Sequence, residues 1–552
     1  MKTNLLIVES PAKARRLATI LDPDNGWVVA ATYGDLMDLP SRNLGLRFAE
    51  GKLELHWRTT LKGRKQLSRL RAVARTVRKT GGQIYVGTAP DREGETLAAH
   101  VMQSLQLPKQ TTPRVLLYSL EAHAIKRAIA RPGRLNGRVV AAQEARRGLD
   151  RAVGYELARR LRKTIGRVQA PVLKACAVQA AARKNFRPSI RYRAGFMVNE
   201  TFFALPLQPL LSEREALKAA ESKPARRVVS RTEDREYCSP PAACTTTDVL
   251  KVFSDETGVE RICAAMKSLF VDALITYPRT DSRTLDRDWV ERVRAECGAN
   301  GRSQPPPGSH GGLHGPAACE AIRPTSTTWR TPASLENDEP LKRRLYEYIA
   351  WRAFAACAEP AQQTTVTWVL DNQATGTLTR EDVEGWRQYR PDRDHQPAGG
   401  PDPIVWSLKR DDPVKAVPSA GTLQTPPPDA PTVAWLLNWM EKNRVGRPST
   451  YAPCLSKLLD RKLVRPHPSE GLVLTPLGLN ILGQLSKGAE CILLPEHTRA
   501  LEEWLDEIAR RESGPEESAR LVLAGVRLAS GTGQVTRAID LRQPATARHS
   551  VR

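Results

Sequence analysis

Tyr277 and Arg279 stand two positions apart in residues 274–282, and they are the side chains of this chain best suited to chemistry. A tyrosine hydroxyl can attack phosphorus and hold the cleaved backbone as a covalent ester, while a guanidinium can bind the phosphate through two hydrogen bonds. Far upstream, Asp91 and Glu93 form a carboxylate pair able to hold Mg²⁺. Together these residues predict attack on a phosphodiester, so the expected substrate is a nucleic-acid backbone.

The tyrosine needs help from its surroundings, because a phenol with a pKa of about 10 is ionised in only about one molecule in a thousand at pH 7. Arg279 can stabilise the charge that builds up on the phosphate. Lys13, just after the first predicted strand, can neutralise the phosphate or protonate the leaving oxygen. Glu9 ends that same strand and could join Asp91 and Glu93 around the cation.

Each feature taken alone also has an ordinary structural explanation. Asp91 and Glu93 could form a surface acidic turn, and Tyr277 could be a packing aromatic at a strand end. The basic run over residues 62–79 has apolar residues at helical spacing, so taken alone it is better explained as the solvated face of a helix than as a DNA contact. The chemical interpretation therefore depends on the motifs occurring together.

Composition agrees with a polyanionic partner, since 84 Lys and Arg face 60 Asp and Glu, which gives a formal charge of +24. A length of 552 residues predicts about 3 to 5 domains. The apolar run at residues 5–8 is too short for a signal peptide, and no stretch is typical of a membrane span, so a cytoplasmic protein is expected. Nine cysteines without a Cys-x-x-Cys pair argue against a disulfide framework and a zinc ribbon.

The chain divides into an α/β beginning, helical segments and β-rich segments. Strands are predicted at residues 5–8 and 84–86, with a helix capped by Ser10 after the first and a helix from about 96 to 105 after the second. Both acidic positions then lie at strand carboxyl ends, where open α/β sheets place ligand sites. The predicted domains are 1–140 (α/β), 141–190 with 425–512 (helical), 191–245 with 360–424 (β-rich), 246–359 (helical, carrying Tyr277) and 513–552 (a basic extension, flexible after about 525).

Six motifs occur in the order found in the type IA DNA topoisomerases, and the chain resembles that family over about residues 1–510. The matching segments are LIVESPAKA at 6–14, DREGE at 91–95, LDRAVGY at 149–155 with GRVQ at 166–169, SPP and TTT at 239–247, ITYPRTDS at 275–282 and GRPSTY at 446–451. The resemblance implies a multidomain α/β plus α+β fold. In such a fold a Toprim α/β domain, helical DNA-binding domains and a β-rich arch form a toroidal core.

The resemblance also implies an activity. Enzymes of this family cut one DNA strand through a 5′-phosphotyrosyl intermediate, pass another strand through the gap and reseal it without ATP, which relaxes negatively supercoiled DNA. Tyr277 would be the nucleophile, Arg279 the phosphate clamp and Lys13 the cation at the scissile phosphate. Asp91 and Glu93, with Glu9, would hold Mg²⁺. The DNA contacts it implies are Arg151, Arg167, Gln169, Arg323, Arg447, Ser449 and Thr450.

The implied partners are single-stranded and negatively supercoiled DNA, with a helicase as a further candidate. A monomer, associated with the nucleoid in the cytoplasm, is expected. The ITYPRTDS segment favours the topoisomerase III branch, whereas the Glu-Ala-Ile-Arg-Pro segment at 320–324 favours topoisomerase I, so the branch stays open.

Three departures from the family pattern leave other functions open. Ala89 stands where the metal motif normally begins with aspartate, so one charge is missing and weaker Mg²⁺ binding is expected. Asp35 and Cys319 replace two histidines, for which His310 or His314 in the preceding glycine-rich loop could substitute. A second hypothesis is therefore a catalytically impaired, single-stranded DNA-binding relative. A third, a Toprim nuclease or primase, would explain the carboxylates but leave the tyrosine without a role.

Overall fold

The amino-terminal domain is built on a parallel sheet of three strands in the order β2-β1-β7. A computed structural model of the protein describes residues 2–21, 26–299, 320–328, 331–336, 338–390, 404–510 and 515–531. The strands and helices of this domain are β1 Asn4–Val8, α1 Pro11–Leu21, β2 Trp27–Ala31, β3 Met37–Asp38, β4 Leu46–Ala49, β5 Lys52–Leu55, β6 Arg58–Thr59, α2 Leu61–Lys79, β7 Ile84–Val86, α3 Arg92–Ser104 and α4 Ala122–Ala130. The central strand β1 is apolar and fully buried over residues 5–8, because helices cover both faces of the sheet.

Two helices start at the carboxyl edge of this sheet and fix the residues of interest. Ser10 caps α1 as predicted, since its hydroxyl accepts a hydrogen bond from the Lys13 amide at 3.3 Å. Helix α3 begins four residues earlier than predicted, because Asp91 caps it by accepting from the Gly94 amide at 2.7 Å. Glu93 therefore lies in the first helical turn and not on a loop.

The β-rich part is one antiparallel sheet of six strands in the order β10-β11-β12-β9-β8-β13. Its elements are β8 Ile190–Val198, β9 Thr201–Ala204, α7 Glu213–Glu221, β10 Val228–Cys238, β11 Ala361–Leu370, β12 Thr375–Val383 and β13 Val417–Gln424. Strand β10 pairs with β11, although about 120 residues of chain separate them, so residues 239–360 leave this sheet and return to it.

The segment between β10 and β11 is helical and carries Tyr277. Its helices are α8 Thr246–Phe253, α9 Val259–Val271, α10 Arg287–Ala299 and α11 Pro340–Ala356. Tyr277 follows α9 in an extended stretch whose backbone is held on two sides. The Thr276 amide donates to the Arg323 carbonyl, and the Tyr277 amide donates to the Tyr118 carbonyl of the amino-terminal domain, both at 2.9 Å.

The remaining helices form a second helical unit around α5. Its elements are α5 Gly137–Leu161, α6 Gln169–Asn185, α12 Val433–Lys442, α13 Pro448–Asp460, β14 Val464–His467, β15 Gly471–Leu474, α14 Pro476–Gly488, α15 Pro495–Arg510 and α16 Pro515–Ser530. Helices α15 and α16 both pack along α5. Residues 425–432, between β13 and α12, are irregular chain, whereas the glycine-rich loop with His310 and His314 lies outside the described residues.

The prediction of a flexible arm after about residue 525 is wrong as far as Ser530. Helix α16 packs so closely on α5 that a Cβ at Gly525 would lie 2.2 Å from a methyl carbon of Leu149 and 3.1 Å from Val153. The amphipathic spacing of apolar residues in α16 was hidden by the arginines beside it. Residues 532–552, with most of the predicted arm, lie outside the described part of the chain.

No helix in the described ranges is both long enough and apolar enough to cross a bilayer.

The close contact of α16 with α5 predicts that Gly525→Val will lower the free energy of unfolding by about 1–3 kcal/mol, because the added methyls overpack a buried contact. Gly483→Val in α14 is the matched control, since a Cβ there meets nothing within 4 Å. Chemical denaturation followed by circular dichroism measures both. Equal stability of the two variants would contradict the packing of α16 on α5.

Candidate functional site

The carboxyl ends of the three parallel strands bring the predicted phosphate and metal residues together. Glu9 follows β1, and Asp91 follows β7 by way of a short turn. The Lys13 ammonium, only 1% exposed, donates to Glu9 at 3.3 Å and to the Gly87 carbonyl at 3.2 Å. Burial lowers the pKa of Lys13, and the charge of Glu9 opposes that shift. A lysine of this kind can both attract phosphate and release a proton.

Tyr277 reaches this strand edge from the helical segment. Its hydroxyl donates to Asp91 Oδ2 at 2.7 Å, and its ring packs edge-on against Phe270 with the centroids 5.5 Å apart. The side chain is 8% exposed. Burial, together with the charge of Asp91, raises the pKa of Tyr277 well above its ordinary value. In this form the predicted nucleophile is protonated and held next to the carboxylate that could take its proton.

Arg279 completes the group from the other side. Its guanidinium donates to Glu93 at 3.0 Å and lies 3.8 Å from Asp91. The side chain is half-exposed, so a phosphate arriving from solvent could exchange with Glu93 as its partner. Partial desolvation and the charge of Asp91 raise the pKa of Glu93. The predicted catalytic residues Tyr277, Arg279, Lys13 and Glu9 therefore lie in one site with Asp91 and Glu93.

The carboxylates are suitable ligands for Mg²⁺, although in this form they are hydrogen-bonded or ion-paired to other protein groups. The Asp91 oxygens accept from the Gly94 amide and the Tyr277 hydroxyl, while Glu93 pairs with Arg279. No cluster of three or more His, Cys, Asp or Glu side chains arranged to hold a metal occurs in the described ranges. Hard oxygen donors beside a phosphate site suit Mg²⁺, which keeps several waters and few protein ligands. Binding would require Tyr277 and Arg279 to release Asp91 and Glu93.

Ala89 contributes no carboxylate to this site. Its carbonyl accepts from the Arg114 guanidinium at 2.8 Å, and the residue lines a cavity of about 480 Å³ behind Tyr277. Arg114 itself is buried and pairs with Glu95 at 2.9 Å, which links helix α3 to the segment that carries Arg114.

Three cavities adjoin one another and place most of the predicted DNA contacts along one path. The cavity behind Tyr277 shares Pro453 and Lys457 with a cavity of about 470 Å³, and shares Pro448 and Ser449 with one of about 620 Å³. The 470 Å³ cavity is lined by Arg151, Arg167, Gln169 and Thr450, and the 620 Å³ cavity by Arg447 and Ser449 with Asp91 and Glu93.

Two of the predicted DNA contacts are buried against protein groups. Arg167 is 2% exposed and pairs with Asp150 and Glu502, each at 2.6 Å, so a contact with DNA would require these pairs to exchange. Arg323 pairs with Glu320 at 2.8 Å, and its guanidinium carbon lies 4.9 Å from the ring centroid of Trp289. Cys319, beside Glu320, lies outside the described residues, as do His310 and His314.

Sequence reasoning missed a carboxylate that holds several arginines of the site. Glu502 in α15 is fully buried and lies 2.6 Å from Arg167, 3.6 Å from Arg146 and 3.7 Å from Arg447. Burial alone would raise the pKa of Glu502, but the charges of Arg146 and Arg167 outweigh it and lower the pKa to about 2. No local signal in the sequence marked it, because Glu502 is one of several acids on the amphipathic helix α15, with Asp506 one helical turn further along.

Asp506 extends this network to the Toprim side of the site. It pairs with Arg92 at 2.6 Å and also with Arg447. Since Arg92 lies between Asp91 and Glu93 in sequence, helix α15 is linked directly to the acidic turn.

Comparison with known proteins identifies the family. A family profile described as DNA topoisomerase matches residues 134–519, and a Toprim domain profile matches residues 4–120. The chain belongs to the DNA topoisomerase family. It is 27% identical to DNA topoisomerase 1 of Campylobacter jejuni over 94% of this chain and 78% of that protein. It is 28% identical to DNA topoisomerase 1 of Escherichia coli over 92% of this chain but only 64% of that protein.

The fold of this topoisomerase agrees with these relatives. Full-length topoisomerase I from Thermotoga maritima superposes with a TM-score of 0.83 at 23% identity, covering 96% of this chain and 91% of that one. The predicted fold class and the resemblance to type IA topoisomerases are confirmed. By family membership the chain is a type IA DNA topoisomerase, which is an isomerase. Toprim domains generally bind divalent metal ions such as Mg²⁺.

The buried pairs of Glu502 predict that Glu502→Gln will lower the free energy of unfolding by about 3–5 kcal/mol at pH 7, because the arginines lose a buried partner. The pKa of Glu502 is about 2 in the folded protein and ordinarily near 4.5, so its contribution is complete above about 4.5 and is lost as the pH falls toward about 2. Denaturation at several pH values should show this acid dependence in the parent protein and not in the variant.

Glu503→Gln is the matched control, since Glu503 is half-exposed and its pair with the exposed Arg444, at 3.6 Å, is weak. It should change the free energy of unfolding by less than about 0.5 kcal/mol. A Glu502→Gln protein as stable as this control would show that the arginines do not depend on the buried carboxylate.

Proposed function

We propose that this topoisomerase cleaves one DNA strand by attack of Tyr277 on a backbone phosphate, lets another strand pass through the gap and reseals the break without ATP. Its substrates would be single-stranded and negatively supercoiled DNA. The observation that supports this proposal most directly is the hydrogen bond of Tyr277 to Asp91, with Lys13 and Arg279 on either side. A nucleophile, a proton acceptor and two phosphate-binding cations thus meet at one strand edge.

The chemical step assigns each of these groups a task. A bond forms between the Tyr277 oxygen and phosphorus while the bond from phosphorus to the 3′ oxygen breaks, which leaves the 5′ phosphate on the tyrosine. The phenolic proton passes toward Asp91, and the departing 3′ oxygen takes a proton from Lys13, which is paired with Glu9. Arg279 stabilises the negative charge on the phosphate oxygens. Resealing reverses each transfer and needs no further energy source, since the ester conserves the energy of the phosphodiester.

A divalent cation fits into this scheme through the existing carboxylates. Asp91 and Glu93, with Glu9 nearby, are the residues that would hold it, and it would supply added positive charge at the phosphate. Arg279 would then leave Glu93 for the DNA, and Tyr277 would give its proton to Asp91 as its oxygen leaves that carboxylate for the phosphorus. The form described here, in which the carboxylates hold these two groups, is accordingly a resting form.

The three adjoining cavities are the proposed path for the single strand. Arg151, Gln169 and Thr450 would contact it on one side of Tyr277, and Arg447 and Ser449 close to the cut. Arg167 and Arg323 would contribute mainly by holding other protein groups of the site in place. Arg323 holds the strand of the nucleophile, since its amide donates to the Thr276 hydroxyl at 3.1 Å.

A second candidate function is a single-stranded DNA-binding relative with impaired cleavage. Ala89 removes one carboxylate from the family's metal motif, and the surviving carboxylates are engaged by Tyr277 and Arg279. A nuclease or primase is not favoured, because Tyr277 lies in hydrogen-bond contact with the Toprim carboxylates. We further propose that the whole protein is a monomer associated with the nucleoid in the cytoplasm. A helicase is one candidate partner.

Covalent trapping tests the proposed chemistry. Incubation with a labelled single-stranded oligonucleotide, followed by denaturation, should give a protein–DNA adduct that Tyr277→Phe abolishes. Tyr85→Phe is the matched control, because Tyr85 lies on β7 of the amino-terminal domain and its hydroxyl donates to Gln83 instead of Asp91. Binding without an adduct would favour the impaired relative, and cut ends without attached protein would favour a nuclease.

The charged path predicts salt-dependent binding, with a log–log slope that changes by about 0.7 for each phosphate neutralised on single-stranded DNA. Lys457→Gln, in the wall shared by two cavities, should reduce that slope by about 0.7. Lys79→Gln, on the exposed face of the basic helix α2, should leave it unchanged if that face is only solvated. Fluorescence anisotropy at several salt concentrations measures both slopes, and equal losses would place α2 on the path.

A further inference from the structure

An arginine beside the proposed active site is buried without satisfying its hydrogen-bond donors. Arg146, on α5, is 6% exposed, and its Nη2 atom is buried and has no hydrogen-bond partner in the described ranges. Two carboxylates lie near it, Glu502 at 3.6 Å from Nη2 and Asp150 at 3.8 Å from Nε, and both distances exceed that of a hydrogen bond. A buried charged donor without an acceptor is unfavourable, so Arg146 is placed for a ligand that supplies oxygen atoms.

Both of these carboxylates give their short contacts to another arginine. The Glu502 oxygen that lies 3.6 Å from Arg146 accepts a hydrogen bond from Arg167 at 2.6 Å. Asp150 accepts from Arg167 at 2.6 Å as well. The two acids therefore balance part of the charge of Arg146 without using its N–H groups.

The ion-paired network around Arg146 contains more arginines than carboxylates. Asp506 binds Arg92 and Arg447, and Glu502 lies 3.7 Å from Arg447, which joins these pairs to those of Arg146. The network has four arginines and three carboxylates, namely Arg92, Arg146, Arg167 and Arg447 with Asp150, Glu502 and Asp506. One positive charge is left over, so the network favours an anion as its ligand.

Arg146 lies on the proposed path of the DNA strand. It lines the 620 Å³ cavity together with Arg279, the predicted phosphate clamp, and with Arg447. Arg151, five positions further along α5, lines the neighbouring 470 Å³ cavity. Five residues of helix span about 7.5 Å, so Arg146 and Arg151 are placed to contact different phosphates of one strand.

We propose that Arg146 binds a backbone phosphate of the DNA strand in the 620 Å³ cavity, next to the scissile phosphate that Arg279 stabilises. This inference rests on the proposed function for the path of the strand. The planar guanidinium donates two parallel hydrogen bonds to phosphate oxygens, and Arg92 Nη1 and Arg447 Nε, which are also buried without a partner in the described ranges, supply further donors. This second phosphate holds the strand in place while the first is attacked, so Arg146 acts by positioning and takes no part in the bond changes.

Salt-dependent binding tests this contact without any cleavage when it is measured on the full chain carrying Tyr277→Phe. Arg146→Gln in this background should reduce the log–log slope by about 0.7 and raise the dissociation constant of a labelled single-stranded oligonucleotide by about 10-fold, because one phosphate contact is lost. Arg159→Gln is the matched control, since Arg159 lies on the same helix, is 68% exposed and lines none of the three cavities. It should leave the slope unchanged and the constant within about 2-fold.

Neutral methylphosphonate groups, placed at one backbone position at a time, locate the phosphate in the trapping assay, where the cut fixes the register. At one position next to the cut, the neutral group should lower the adduct yield of the parent by about 10-fold but that of Arg146→Gln by less than about 2-fold, since the contact is already lost. Arg159→Gln should keep the full effect. A purely structural role of Arg146 would lower the yield to the same extent whichever phosphate is replaced.

Two results would overturn the proposal: equal slopes in Arg146→Gln and Arg159→Gln, or a methylphosphonate effect that persists at every position in Arg146→Gln. Melting curves identify a variant that fails to fold, and Arg146→Met, which is apolar and still long enough to fill the buried position, then takes the place of Arg146→Gln. The two assays separate the phosphate contact from the proposed function. An adduct in the parent with an unchanged slope in Arg146→Gln refutes the contact alone, whereas a reduced slope without any adduct refutes the cleavage chemistry alone.

Discussion

Negative charge concentrated at the carboxyl ends of three parallel strands is the constraint on which the rest of this site depends. Glu9, Asp91 and Glu93 lie close together, and such a group is stable only if positive charge or a donated proton accompanies each member. In the form described here, Lys13, Tyr277 and Arg279 supply these partners. The same three groups are the ones proposed to attack and bind a phosphate. In that proposal, neutralisation of the carboxylates and the chemistry compete for one set of side chains, so the arrival of DNA and a cation would free Tyr277 to attack.

The arginines along the proposed DNA path likewise depend on neighbouring charges of opposite sign. Arg146, Arg167 and Arg447 crowd one region, and Glu502 neutralises them from within the core while Asp506 binds Arg447 and Arg92. A guanidinium already fixed by a carboxylate loses little freedom when a phosphate reaches it. Because Arg92 belongs to the acidic turn, helix α15 joins the DNA path to the Toprim site through ion pairs and not through apolar packing alone.

The sequence predicted the parts of this arrangement that depend on local chemistry. A short apolar strand followed by a capped helix is visible in residues 5–13. The motif around Tyr277 is also visible, because its residues are adjacent in the sequence. Local signals could not reveal Glu502, since it lies 335 positions from Arg167 and looks like one of several acids on an amphipathic helix. The start of α3 was missed because Asp91 was considered only as a metal ligand, although it also caps the helix. The basic residues beside α16 concealed its apolar face.

Positions 35 and 89 show why counting residues in a motif can mislead. In sequence, an alanine in the metal motif is a loss and an aspartate 54 positions earlier is a second, unrelated departure. In the sheet, both positions belong to turns that follow the two strands flanking β1, so they are neighbours in the fold. The turn after β2 is strained, because Tyr33 adopts φ 60, a left-handed conformation that costs a non-glycine residue about 1–2 kcal/mol. The neighbouring Gly34 is fixed to the Glu9 carbonyl, which holds the turn in that conformation and Asp35 at the strand edge. The strained turn is thereby joined to the backbone at Glu9, so a substitution in this turn would act on the predicted site through the main chain as well as through the charge of its side chain.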